Sequence, residues 1–116
     1  MKKLWEILVP TVMERDGKLR PIRTRYHRVW DEQIRAISNG LTILEPAKGQ
    51  WVSPEGKLFS EKMIPVRIAC TEEDIRKIAN LTAQYYRQKA VMYYVVSKRV
   101  VIQHYNESFL PTSTKE

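Results

Sequence analysis

Three observations predict an α+β domain in this chain. The segments Thr24 to Ser38 and Glu72 to about Lys89 repeat their apolar residues at helical spacing. The stretches around them alternate apolar and polar residues at the period of a strand. Between the helices, Asn39-Gly40 and Gly49-Gln50-Trp51-Val52-Ser53-Pro54-Glu55-Gly56 punctuate the chain as a bent strand, a tight turn and a return strand from Lys57 to Cys70. The order is therefore β-α-β-β-α-β. Two helices on one face of an antiparallel sheet make a ferredoxin-like sandwich, with room for an extra C-terminal strand.

Each element follows from its residues. Leu4 to Met13 reads as one strand, with Trp5, Ile7, Val9 and Met13 on one face and Pro10 interrupting the pairing. Asp16-Gly17 marks a turn. Thr24 is a candidate cap for the first helix, whose apolar stripe is Tyr26, Val29, Trp30, Ile34 and Ile37. Asn39-Gly40 ends it in left-handed backbone. Leu41 to Leu44 opens the second strand, Pro46 to Gly49 bends it, and Gln50-Trp51-Val52 resumes it. The return strand carries Ile64, Val66, Ile68 and Cys70 on one face, but Pro65 within it demands a missing ladder bond. Thr71-Glu72-Glu73-Asp74 is a hydroxyl cap followed by acids, the charge order that a helix dipole favours. The β-branched and aromatic run from Val91 to Tyr105 forms either one long strand or a hairpin turning at Ser97-Lys98-Arg99. Residues 1–105 form a single domain, and residues 106–116 a frayed, flexible tail.

Composition bounds the function. The chain has 116 residues, 43% of them hydrophobic and 28% charged, which is a globular balance. No apolar run approaches the ~20 residues of a membrane helix, and Glu6 falls where a signal peptide would be apolar. The single Cys70 excludes an internal disulfide and fits a reducing compartment. A cytoplasmic location is expected, without a membrane partner. Twenty Lys and Arg against 13 Asp and Glu leave a net charge of +7, which favours anionic partners. The excess is local: Arg15, Lys18, Arg20, Arg23, Arg25 and Arg28 lie close together with Asp16 as the one acid among them.

The block Trp30 … Asn39-Gly40-Leu41-Thr42 … Gly49-Gln50-Trp51 … Pro54-Glu55-Gly56 … Glu61 resembles an uncharacterised family of small bacterial proteins. In that family a helix leads into a Gly-Leu-Thr strand, then Gly-x-Trp, a Pro-x-Gly turn and a Glu before the next strand. The resemblance spans roughly Val29 to Tyr94. It implies a compact ferredoxin-like domain and carries no activity; the export signal of family members is missing here.

Several chemistries can be weighed. His27 and His104 are the only histidines and neither sits at ligand spacing from Cys70, so no metal site and no cofactor are expected. Cys70 precedes a helix start that could lower its thiol pKa; the structural alternative is a buried strand residue. His27, beside Arg25 and Arg28, could act as a general base with its pKa lowered by the arginines; the alternative is an exposed surface histidine. Arg20, Arg23, Arg25, His27 and Arg28 surround a helix start, where free amides already favour anions and guanidinium forks suit phosphate. Their alternative is a solvated basic loop. Trp5, Trp51, Tyr93, Tyr94 and Tyr105 fall on strands, where they can stack bases or bury themselves against a second copy. The expected function is binding of nucleic acid or a nucleotide by a homodimer joined through its open sheet face. An enzyme acting on a phosphate-containing substrate, with His27 as base, and a protein–protein adaptor are the alternatives.

Overall fold

The structure is a computed structural model and describes residues 1–109. Its elements run β1 (Lys3–Pro10), β2 (Val12–Arg15), β3 (Lys18–Pro21), α1 (Thr24–Ser38), β4 (Thr42–Ile43), β5 (Ala47–Val52), β6 (Leu58–Cys70), α2 (Glu72–Tyr85) and β7 (Tyr93–Ser97). The main sheet is antiparallel, ordered β4-β6-β1-β7, and β5 continues beside β6. With β4 and β5 taken as one bent strand, this is the ferredoxin-like arrangement that the periodicities predict.

Alternation along β1 and β6 sets the layers. Trp5, Ile7 and Val9 pair with Ile68, Val66 and Ile64 on the helix side. There they meet Trp30 and Ile34 of α1 and Ile75 and Ile78 of α2, forming one buried core. The helices are also joined through polar atoms. The Trp30 indole N–H donates to Thr82 Oγ1 at 3.0 Å, and the Thr82 hydroxyl donates to the Ile78 carbonyl at 2.6 Å. Among the described residues, no buried side-chain polar atom lacks a partner.

Pro65 is accommodated by the bend in the neighbouring strand. Its carbonyl accepts from the Leu44 N–H at 2.9 Å, so its imide nitrogen faces the same edge. That edge lies opposite residues 44–46, where β4 has ended and β5 has not begun. The Leu8↔Pro65 pair with β1 therefore loses no ladder bond, because Leu8 N–H points the other way, to the Met92 carbonyl at 3.1 Å.

Four expectations are corrected. The strand from Leu4 to Met13 breaks at Thr11, and a separate β2–β3 hairpin turns on Asp16 and Gly17, both at positive φ (53° and 77°) as a two-residue hairpin loop requires. Thr24 does not cap α1: the cap position is Arg23, and no side chain accepts there. Helix α2 ends at Tyr85 rather than near Lys89. The run from Val91 to Tyr105 is neither one long strand nor a hairpin, since only β7 pairs, with β1, and residues 98–105 lie outside regular structure.

The compactness implied by the resemblance is also not found. The molecule measures 63 × 33 × 31 Å with a radius of gyration of 18.3 Å, against the ~13 Å of a compact 100-residue domain. All six residues of β5 are exposed, and residues 98–106 lie outside regular structure. In the tail, Glu107–Phe109 forms a 3-10 turn, and residues 110–116 lie outside the described residues.

Candidate functional site: an arginine-lined cleft

The two helix starts in this chain are built on opposite rules. At α2, Thr71 caps by accepting the Asp74 N–H at 3.1 Å, and Glu72, Glu73 and Asp74 occupy the first turn. That is the arrangement a helix dipole rewards. At α1, no side-chain cap is made, no acid lies in the first turn, and Arg23 and Arg25 stand where negative charge would be stabilising. The first turn is held only by backbone, with Tyr26 and His27 N–H both donating to the Arg23 carbonyl at 3.0 and 3.3 Å. The start of α1 is thus positive and uncapped, a charge order that the helix dipole disfavours.

A cleft of about 310 Å³ opens beside this helix start. Met13 and Arg15 come from β2, Ile22 and Arg23 from the loop into α1, Arg25, Tyr26 and Val29 from α1, and Tyr85 and Arg87 from the end of α2. Four arginines thus line the cleft together with apolar side chains, and no carboxylate residue is among the lining. The loop is tied back by the Ile22 N–H, which donates to the Thr11 carbonyl at 2.9 Å.

The floor is locked by a reciprocal pair. The Tyr26 hydroxyl donates to the Tyr85 carbonyl at 2.6 Å, and the Tyr85 hydroxyl donates to the Tyr26 carbonyl at 2.7 Å. Their rings stack with centroids 4.2 Å apart. Burial, and then the neighbouring Tyr26, push the Tyr85 phenol up, so it stays a donor.

Arg87 is the contributor that the sequence reading missed. It sits just past the α2 C-cap at φ 56°, a left-handed conformation in which glycine is the strain-free residue. The local signal was the expected helix stripe continuing past it; only the early end of α2 turns it into the cleft.

The other sequence candidates separate. Arg20 lies on β3, exposed, its Nε donating to the Arg15 carbonyl at 3.4 Å, and it is not in the lining. Arg28 is on an exposed side of α1 and also outside the lining. His27 points away from the arginines into a second cavity of about 100 Å³, with Asp31 and Trp30. Its Nδ1 lies 2.6 Å from the Tyr86 hydroxyl. Burial holds the Tyr86 phenol protonated, so the contact is one between a neutral hydroxyl and the imidazole ring. The His27 pKa is lowered, first by burial and not by arginines, with Asp31 opposing. His27 is half-buried rather than a surface residue.

Cys70 is 1% exposed, and burial, followed by Asp74, pushes its thiol up to about 11. The lowering expected from the α2 start is absent. His104 and Tyr105 lie exposed beyond β7. Among the aromatics, Trp5 is buried and its indole donates to the Cys70 carbonyl at 3.0 Å, whereas Trp51 stacks on Phe59 on the protruding hairpin. On the open sheet face, Glu6 is 8% exposed. It accepts from Arg67 Nε at 2.9 Å and from the Tyr94 hydroxyl. Burial raises its pKa, but those two donors and the Arg67 charge outweigh it and leave the carboxyl low.

Among the described residues, no helix is long and apolar enough to cross a membrane, and no three His, Cys, Asp or Glu side chains converge as metal ligands would. Neither a protein-family model nor a curated protein matches the chain. Solved structures do. A divalent cation tolerance protein, CutA1, from Thermus thermophilus aligns with TM-score 0.60 at 10% identity, over 94% of this chain and 91% of its own. CutA1 from Oryza sativa gives 0.59 at 11%, over 94% and 86%. The periplasmic divalent cation tolerance protein CutA from Archaeoglobus fulgidus gives 0.58 at 12%, over 95% and 92%. At such identities the likeness is one of fold: this chain has a CutA1-like α+β fold, with an antiparallel sheet and two helices.

Proposed function

We propose that the protein is a binding module for an anionic ligand, a nucleotide or nucleic acid, held at the cleft where α1 begins. One observation carries this reading: arginines from β2, from the start of α1 and from the end of α2 meet at a helix start that has neither a cap nor an acid. Guanidinium groups supply forked donors for phosphate oxygens, and the free amides of the first turn add their dipole.

The structural neighbours are named for divalent cation tolerance; in this chain the residues that line the cleft beside α1 are arginines and apolar side chains. We keep membership of the uncharacterised bacterial family, and a reducing, cytoplasmic setting for the single buried Cys70, as parts of the same proposal.

The test is binding of a labelled nucleotide and a labelled oligonucleotide as salt is raised. Each phosphate neutralised contributes roughly 0.7–0.9 to the slope of log affinity against log salt. The double variant Arg23→Ala/Arg25→Ala should bind more weakly and with a shallower slope. Undiminished binding by that variant removes the proposal.

A second reading concerns the open sheet face. Leu8 and Met63 are only half-buried there, and Tyr94 stands 40% exposed. A face of this kind pairs with another surface, and we assign it to a second copy of this chain.

A further inference from the structure

The cleft differs from the grooves that carry nucleic-acid strands. A strand-binding groove is long, tracks successive phosphates and exposes several aromatic platforms. Here the space is about 310 Å³, at the lower end of the ~300–1,000 Å³ that single small ligands occupy. Its floor is Met13, Ile22, Val29 and the paired tyrosines, with charge confined to the arginines. Tyr26 and Tyr85 are its aromatic lining residues, and the exposed Trp51, Tyr94, Tyr105 and Phe109 are not part of the lining.

Arg87 brings a fourth arginine to the lining, from the end of α2. Its φ of 56° is the conformation in which a side chain is a liability and glycine none. Among the described residues, the other two non-glycine residues at positive φ are Asp16 and Asn39, types that tolerate it. The left-handed residue belongs to the helix stop itself: the Arg87 N–H donates to the Gln84 carbonyl at 3.3 Å and the Gln88 N–H to the Ala83 carbonyl at 2.8 Å, closing α2 at the place where glycine is commonest.

From these we propose, building on the anion-binding reading, that the cleft takes one small phosphorylated molecule with a flat apolar body, of nucleoside monophosphate size. Its body lies on the Met13–Val29–Tyr85 floor. Its phosphate is gripped by Arg23 and Arg25 from one side and by Arg87 from the other. The reciprocal Tyr26–Tyr85 bonds hold the two helix ends at a set spacing, so the arginines act as a preformed clamp.

Isothermal titration of the full chain with ribonucleoside monophosphates, phenyl phosphate, inorganic phosphate, an uncharged nucleoside and oligothymidylate tests the assignment. At least one phosphorylated aromatic should bind about tenfold or more tighter than both inorganic phosphate and the nucleoside, since floor and clamp each contribute. Arg87→Gly should weaken that ligand by roughly ten- to a hundredfold, the loss of a charge-assisted contact, while its melting temperature holds or rises. Arg20→Ala, outside the lining, should change affinity less than about twofold.

If oligothymidylate binds with a multi-phosphate salt slope and no monophosphate competes, the clamp assignment falls and the anion-binding reading stands. Inorganic phosphate binding as tightly as every aromatic phosphate has the same meaning, since the floor is then unused. If nothing in the panel binds, both fall.

Discussion

His27 and Tyr86 are hydrogen-bonded between the two helices, and the burial of His27 sets a pH dependence. With the folded-state pKa of His27 below its ordinary 6.5, the unfolded chain binds the proton more readily. Stability is then complete above about 6.5 and is lost as pH falls from there through the lowered folded value. His27→Asn keeps an acceptor for Tyr86 and removes the titration. The wild type should therefore lose more melting temperature between pH 8 and pH 5.5 than the variant does, as a thermal scan at each pH would read. Equal losses would place the pH dependence on another group. The lowered carboxyl of Glu6 acts later, because its contribution fades only as pH falls below the ordinary carboxylate range. Cys70 gives the matching prediction for reactivity. With its thiol at about 11 and its side chain in the core, it should resist a thiol reagent at pH 8 in the native protein and react fully in denaturant. Fast native labelling would restore it as a candidate nucleophile.

Between elements, the Trp30–Thr82 contact is where packing and polarity meet. Trp30 is 1% exposed and Thr82 fully buried, so Thr82→Val leaves the indole N–H without its partner in a site that admits no water. A loss of ~1–3 kcal/mol in urea-derived unfolding free energy is expected. A change under about 0.5 kcal/mol would mean that the helices are held by apolar contact alone. How much of these elements could be read from the sequence depends on how local their causes are. The order of strands and helices was legible, because alternation in Trp5-Ile7-Val9 and Ile64-Val66-Ile68 and the Thr71 cap are written in neighbouring residues. The β2–β3 hairpin was not, since Met13 continues the parity of Val9 across the break at Thr11. Residues 98–105 carry strand composition yet find no partner in the described chain, and composition cannot supply one. Arg23 and Arg25 were visible as part of a basic run. Arg15 entered that run only as charge, and Arg87 was hidden, because its approach depends on where α2 stops and on how the helices cross.

For the molecule as a whole, the helix-free side of the sheet is the feature that its own chain leaves unresolved. Alternation puts Leu4, Leu8 and Pro10 of β1 opposite Ala69, Pro65 and Met63 of β6 on that side, with Glu6 and Arg67 paired among them. Pro10, Pro65 and Glu6 are buried there while Leu4, Leu8, Met63 and Ala69 are half-buried; under the proposed pairing of two copies, an acid already bound by Arg67 and Tyr94 can be covered without an unpaired charge. A net charge of +7 opposes association, so the contact should strengthen as salt screens the repulsion, the opposite of the salt response expected at the arginine cleft. Sedimentation of the full chain should show a species of at least twice the 13.7 kDa monomer mass, more of it at higher salt. Met63→Lys, which sets a cation at the Pro10 end of that face, should shift the protein to monomer while its helical circular dichroism and its ligand affinity at the cleft stay unchanged. A monomeric wild type across micromolar concentrations would leave the face to some other partner. Loss of ligand binding together with assembly would show that the cleft needs the second copy to hold its shape.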